Sequence, residues 1–277
     1  TEIYTSQYTL YLHDALPILL ILVALAARSL TLDGAREGLA FLFEPDFSKI
    51  SIEVVISALG QALLSLSLGM GAMITYGSYL SRRDGMPGAA MSVALADTGI
   101  AILAGLIIFP ALFAAGGEAQ GGAGLVFIVL PTIFHKLPAA WFFGVAFYAL
   151  LCIAALTSTL SLMEVIVSYF VDEHGKSRLK MTWIMAGACF LLALPSALSM
   201  TFFGTQDALW GNYALVVGAL LISVFVGWKW GVRAAVEEIT RSGHPLPLAA
   251  VWGFVIRFFA PIAIVAILIF KLLGGQT

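Results

Sequence analysis

Residues 60–71 carry two hydroxyl side chains and two flexible positions inside an otherwise apolar run: Ser65, Ser67, Gly69 and Gly71. Glycine weakens a helix, and serine competes for backbone hydrogen bonds, so this pattern predicts a helix that unwinds partway along. Inside a membrane, the freed carbonyls of such a segment can coordinate a cation, and the following half-helix can face a carboxylate. The alternative is tight helix packing through small residues, with no ligand.

A second cluster of hydroxyls follows the small residues Ala154 and Ala155, at Thr157, Ser158 and Thr159. Oxygen ligands suit a hard cation, so adjacent hydroxyls within an apolar run are typical of an ion site. Serine and threonine also bond back to their own helix without any function. Both interpretations stay open on these residues alone.

Three acids lie in or beside apolar runs. A carboxylate at membrane depth is costly, so Asp97, in Ala-Leu-Ala-Asp-Thr-Gly, is expected to have a cation, a proton or a polar partner. Glu164 fits a hydrogen-bonded contact between helices as well as a role in a cytoplasmic pathway. Asp207 lies at the predicted outer mouth of its run, where most acids are merely solvated.

The composition requires an apolar solvent around much of the chain. Of its 277 residues 61% are hydrophobic and 11% charged, whereas a soluble domain carries roughly 25% charged residues. A net charge of −2 argues against a nucleic-acid partner, because phosphates need cations to neutralise them. The two cysteines, Cys152 and Cys189, lie in apolar runs and are expected to be packing residues.

A spanning helix needs about 20 mostly apolar residues. Such runs are found near 87–112, 139–171, 181–201, 208–231 and 248–272, with a shorter one at 15–32 and an interrupted one at 52–80. The segment 124–138 is too short to span and contains a proline, which predicts a helical hairpin. The remaining stretches, 33–51, 81–88, 172–180 and 232–247, are predicted loops.

Lysine and arginine concentrate on the cytoplasmic side of membrane proteins. If the first span starts in the cytoplasm, nine cations lie inside: Arg82, Arg83, Lys176, Arg178, Lys180, Lys229, Arg233, Arg241 and Arg257. Five lie outside: Arg28, Arg36, Lys49, Lys136 and Lys271. This imbalance predicts that the first span starts in the cytoplasm.

The order of five motifs resembles the neurotransmitter:sodium symporter family. These are LFEPDF, GQALLSLSLGMGAMITYGSYL, GLVFIVLP, ALTSTLSLMEV and RFFAP, and the resemblance covers about residues 16–272. It implies an all-α integral membrane protein of the LeuT-type inverted-repeat fold, covering about family helices five to eleven, with one discontinuous helix. Residues 15–277 would be a transporter domain without its first four helices. Residues 1–14 are unmatched, and an artefactual lead is one of two open interpretations of them.

The resemblance also implies roles for individual residues. Ser65 and Asp97 correspond to the first sodium site, and Ala154 (through its carbonyl), Thr157 and Ser158 to the second. Asp207 corresponds to an acid of the outer gate, and Gln61 to a residue near the chloride site of animal members. The implied wall of the substrate pocket is Leu64, Ser65, Ser67, Met70, Ser158 and Leu162.

The resemblance therefore implies sodium-coupled symport of apolar amino acids across a bacterial cytoplasmic membrane. Sodium would be the coupling ion, with no further cofactor, and the lipid bilayer and the amino acid would be the partners. Chloride independence is expected because Asp97 supplies a negative charge. Proton coupling through Asp97 and an inactive fragment are the alternatives. An enzyme is not expected: there is no G-x-S-x-G motif, and the histidines lie in loops or flanks.

Overall fold

The computed structural model describes residues 19–81, 84–114, 116–117, 126–127, 131, 134 and 140–273. Most of these residues are helical, and none of them is in a strand. Most of the predicted hairpin at 124–138 and all of residues 1–14 lie outside the described residues. The chain divides into two compact units, Thr1–Asp46 with Ala96–Thr157, and Phe47–Leu95 with Ser158–Thr277.

Nine helices of eight residues or more are assigned within the described ranges. They are α1 (Leu19–Ser29), α2 (Ala35–Phe43), α3 (Ile52–Ser65), α4 (Ala72–Tyr79), α5 (Met86–Ala114), α6 (Ala140–Asp172), α7 (Arg178–Leu198), α8 (Met200–Ile239) and α9 (Ala249–Leu272). Five of them, α5 to α9, are long and apolar enough to cross a membrane. This confirms the membrane-spanning helices expected from the apolar runs.

Two predicted loops contain two or more turns of helix. The polar stretch 33–51 contains α2, and α8 continues through residues 232–239 instead of ending near 231. The last turns of α8 form an amphipathic helix in which Arg233 donates to Glu237, 3.1 Å away and one turn on. Such a pair supports a helix that has left the apolar run.

In the first unit, α1 and α2 pack on the C-terminal half of α5. The buried Ser29 hydroxyl donates to the Ile107 carbonyl at 2.7 Å, within a cluster that includes Leu25 and Ala26. A β-carbon on Gly34 would stand 2.0 Å from the backbone nitrogen of Ala114, so the α2 end lies directly on α5. Close backbone approach through small residues is the usual way in which membrane helices associate.

In the second unit, α3, α8 and α9 share an apolar core. Its buried residues are Leu215, Val216, Ala219, Ile264 and Ile267, with Ile56, Leu59, Leu63 and Met70 packed against them. Dispersion and shape fit hold the apolar side chains of this core together. The two cysteines are not part of any such core: Cys152 and Cys189 are exposed, so the expectation that they pack inside was wrong.

The interrupted run 52–80 is two helices joined by unwound backbone. The Ser51 hydroxyl caps the start of α3, which ends at Ser65, and α4 begins at Ala72. Between them, Ser67, Gly69 and Gly71 have φ of 52°, 92° and 84°. These left-handed conformations end a helix and favour glycine. The predicted discontinuous helix is confirmed.

Candidate functional site

The unwound segment 66–71 is held against α8 by backbone contacts. A β-carbon on Gly69 would stand 2.3 Å from the Leu215 carbonyl oxygen, and one on Gly218 would stand 2.3 Å from the Gly69 carbonyl oxygen. Neither position has room for a side chain. The sequence indicated that the glycines permit unwinding, but it did not indicate that Gly69 meets Gly218 of another helix.

An apolar cavity of about 240 Å³ lies on the α8 and α9 side of this segment. Its lining includes Ser67, Gly69 and Gly71 of the segment and Ser223 of α8. The Ser223 hydroxyl already donates to the Ile256 carbonyl at 3.2 Å, so it offers little to a polar ligand. On this side, part of the unwound segment therefore borders the cavity and is not covered by packed side chains.

The predicted pocket residues of the second unit have different environments. Leu64 and Leu162 are 46% and 43% exposed, and Ser65, the last residue of α3, is exposed as well. Ser67 is half-buried, and Met70 packs against the core of α3, α8 and α9. Leu64, Ser65 and Leu162 are therefore exposed, whereas Met70 is fixed by packing.

Asp97 lies within α5 and is partly buried. It belongs to the first unit and Ser65 to the second, so their shared role as sodium ligands stays a prediction. The helix that carries it is apolar and long enough to cross a membrane. An acid there needs an electrostatic partner or a proton.

The hydroxyl cluster of α6 presents two oxygens side by side. Thr157 Oγ1 donates to the Ala154 carbonyl oxygen at 2.9 Å, and both residues are exposed. Two oxygens at this separation are close enough to face one hard cation. The same bond is what a threonine makes in an ordinary helix, so the contact fits both interpretations of the cluster. Ser158, also exposed, follows directly along the helix.

Glu164 has well-defined partners on two other helices. Arg178 of α7 donates to both of its carboxylate oxygens, at 2.9 Å and 2.7 Å, and the Tyr79 hydroxyl donates to Oε1 at 2.5 Å. The bidentate geometry is the strong form of an arginine–carboxylate pair. Three helices, α4, α6 and α7, therefore meet at one charge network. The sequence identified Glu164, but not Tyr79 and Arg178 as its partners.

Asp207 of α8 is exposed. Beside it an open depression is lined by Thr201, Gly204, Thr205, Ala208, Leu209 and Tyr213. The helix changes to π geometry at Ala208–Ala214, which widens the turn after Asp207. This geometry leaves the carboxylate accessible, as a gate residue would require.

Comparisons with known proteins agree with this architecture. The sequence model of the sodium:neurotransmitter symporter family matches residues 2–276. The chain is 37% identical over 266 residues to the sodium-dependent transporter YhdH of Bacillus subtilis, covering 91% of this chain and 59% of that protein. It is 35% identical to a sodium-dependent transporter of Haemophilus influenzae, covering 93% and 59%.

A solved structure has the same fold. The crystal structure of MhsT in complex with L-phenylalanine superposes with a TM-score of 0.79 and 42% sequence identity, covering 91% of this chain and 60% of that one. The chain thus spans about 60% of the length of the relatives it matches. Its fold is the LeuT-type, all-α fold of an integral membrane protein, and the family consists of transporters and not of enzymes. The chain belongs to the sodium:neurotransmitter symporter family.

Proposed function

We propose that the protein to which this chain belongs carries out sodium-coupled symport of apolar amino acids. The observation that carries the proposal is the unwound segment 66–71 between two helices of an otherwise apolar run. Unwound backbone at membrane depth is tolerated where it lines a cavity or binds a ligand. The sodium-dependent relatives and the phenylalanine bound to MhsT support this choice of ion and substrate.

The first sodium ion would bind at Ser65 and Asp97. Ser65 is the last residue of α3, so its hydroxyl lies next to the freed backbone, and Asp97 supplies a full negative charge. A carboxylate beside sodium makes a second anion unnecessary, and we therefore propose that transport is independent of chloride. Gln61, one turn before Ser65, is neutral and does not add to this charge.

The second sodium ion would bind at Ala154, Thr157 and Ser158. The 2.9 Å contact between the Thr157 hydroxyl and the Ala154 carbonyl holds two of the three oxygens together before any ion arrives. Less ordering is then needed when sodium binds. On binding, the Thr157 hydroxyl hydrogen would turn away from the Ala154 carbonyl, so that each of the two oxygens directs a lone pair at the ion.

The substrate would lie against the unwound segment. Its carboxylate would face the start of α4, where the first backbone N–H groups lack helical partners, and would share the sodium ion near Ser65. Leu64, Met70 and Leu162 would contact the side chain, with Ser67 and Ser158 between them. Because these three residues are apolar, an apolar amino acid is the substrate class that we propose.

Coupling follows from the shared site. An ion shifts a conformational equilibrium only if it binds one state better than the other. Sodium and substrate would together favour the outward-facing state, and Asp207 would gate the outer side. The Tyr79–Glu164–Arg178 network joins three helices near residues 173–177, on the predicted cytoplasmic side, and would close that side until the ions leave.

Uptake of labelled amino acids by the full-length transporter in proteoliposomes tests the proposal. An inward sodium gradient is expected to drive uptake of leucine, phenylalanine or tryptophan, and replacing external sodium by choline is expected to abolish it. Replacing chloride by gluconate should change nothing. The partly buried Asp97 supports one further candidate, proton coupling, for which uptake would follow a pH gradient in choline.

A further inference from the structure

Arg257 is an exposed cation within a membrane-crossing helix. It lies in α9, and within the described ranges it forms no ion pair with a carboxylate. Two neighbouring arginines are paired: Arg233 with Glu237 and Arg241 with Glu238. A charge on the lipid-facing side of a span is costly, so Arg257 requires an anionic partner or a route to the surface.

Aromatic rings hold the guanidinium in place. Its central carbon stands 4.8 Å from the centre of the Trp228 ring and 5.6 Å from that of Phe258. The N–H donors of a guanidinium lie in its own plane. When the group lies over a ring face, these donors point past the ring and can bind other groups. The stacking thus orients the group without using its donors.

The backbone around Arg257 is fixed as well. Residues Val255–Phe259 form a π turn, which leaves carbonyls without their usual helical partners. Trp228 Nε1 donates to the Arg257 carbonyl at 3.1 Å, and Ser223 donates to that of Ile256 at 3.2 Å. Gly227 allows this approach, because a β-carbon there would stand 3.0 Å from the Arg257 Cα. The π turn, and with it the direction of Arg257, is therefore locked onto α8.

The side chain of Arg257 can reach towards the lipid headgroups. From Ala249 to Arg257 a helix rises about 12 Å, which the long arginine side chain can partly span towards the surface. Exposed Trp228, Trp230 and Phe254 surround this level, as in the aromatic belts of membrane interfaces. Lys229, which is exposed and next to Trp228, supplies a second cation.

We propose that Arg257 binds the phosphate of an anionic phospholipid, and that Lys229 adds positive charge at the same end of α8. The lipid belongs to the leaflet facing residues 240–248, which the distribution of lysine and arginine assigns to the cytoplasm. The guanidinium binds two phosphate oxygens side by side, and the exposed apolar faces of α8 and α9 contact the acyl chains. The site is independent of the transport sites proposed above.

Tryptophan fluorescence of the purified chain in lipid nanodiscs tests this site. Brominated phosphatidylglycerol, as a small fraction of phosphatidylcholine, is expected to quench about fivefold more effectively per lipid than brominated phosphatidylcholine. Trp228→Phe should remove part of the excess, because Trp228 lies at the site and Trp230 lies at the same level. Equal quenching by the two lipids in the unmodified chain would overturn the proposal.

Substitutions test whether Arg257 causes the preference for the anionic lipid. Arg257→Gln is expected to lower the preference for the anionic lipid about fivefold, and Arg257→Lys to keep part of it, because it retains the charge without the two-oxygen geometry. Arg233→Gln is the control: Arg233 lies at the same end of α8 as Lys229 but is paired with Glu237, so the preference for the anionic lipid should not change. An undiminished preference in Arg257→Gln would place the lipid elsewhere.

Discussion

The carbonyl oxygen of Gly69 lies so close to Gly218 that a β-carbon at Gly218 would stand 2.3 Å from it. The unwound segment therefore rests on the backbone of α8 with no side chain between them. A segment held in this way keeps its carbonyls and N–H groups in one arrangement, which a preorganised ion and substrate site requires.

Gly218→Ala is expected to destabilise the protein because the new methyl group overlaps the Gly69 carbonyl. Overpacking of this kind costs about 1–3 kcal/mol. Gly77→Ala, within α4 and with no atom in the way of the added carbon, is the matched control and should be neutral or slightly stabilising. Thermal unfolding in detergent measures both changes. A midpoint for Gly218→Ala equal to that of Gly77→Ala would mean that the contact is looser than described.

Thr157→Ala is expected to weaken sodium coupling. It removes one of the three proposed ligands of the second site, and losing a hydrogen-bonding group to a charge costs about 1.5–3 kcal/mol. The sodium concentration for half-maximal uptake should rise at least about tenfold. Thr182→Ala is the control, since that hydroxyl also bonds back to its helix, to Arg178 at 3.0 Å, away from the proposed site. The same rise in both variants would remove Thr157 from the site.

Asp97→Ala is expected to abolish sodium-dependent uptake by the full-length transporter, because it removes both a ligand and the charge that balances the ion. Asp97→Asn keeps a ligand oxygen but not the charge, so its residual uptake should be stimulated by chloride. Uptake with chloride or gluconate outside measures this. Normal sodium-dependent uptake by Asp97→Ala would refute the assignment.

Glu164→Gln is expected to open the cytoplasmic side. The change leaves Arg178, which is 56% exposed, without its two-oxygen partner and weakens the acceptor of the Tyr79 hydroxyl. The variant should increase the access of water-soluble reagents to α4, measured as faster labelling of a cysteine placed at the half-buried Thr75, with Cys152 and Cys189 replaced by alanine. Glu237→Gln, which breaks the pair with Arg233, is the control. Unchanged labelling in Glu164→Gln would show that the network does not close this side.

The sequence predicted the spans well because a bilayer imposes a length on apolar runs, and it predicted the break because Ser67, Gly69 and Gly71 disfavour a helix locally. It missed α2, which lies in a polar stretch and depends on Gly34 and Gly38 meeting α5. That contact joins distant parts of the chain, and no local pattern reports it.

The same limit applies to the site. Glu164 was identified as an acid inside an apolar run, but Tyr79 is 85 residues away along the chain, so only the fold shows that the two meet. Arg178, 14 residues on, was read as a loop charge although it begins α7. The π turns that bring Trp228 onto Arg257 likewise depend on helix packing and not on residue preference.

The most direct test of the account compares uptake of labelled phenylalanine by the full-length transporter with sodium and with choline outside. Uptake is expected to require sodium and to saturate with it. In Asp97→Ala, sodium-dependent uptake is expected to be lost. Equal uptake in the two media by a folded, membrane-inserted protein would contradict sodium coupling. It would leave the fold in place but remove both proposed sodium sites.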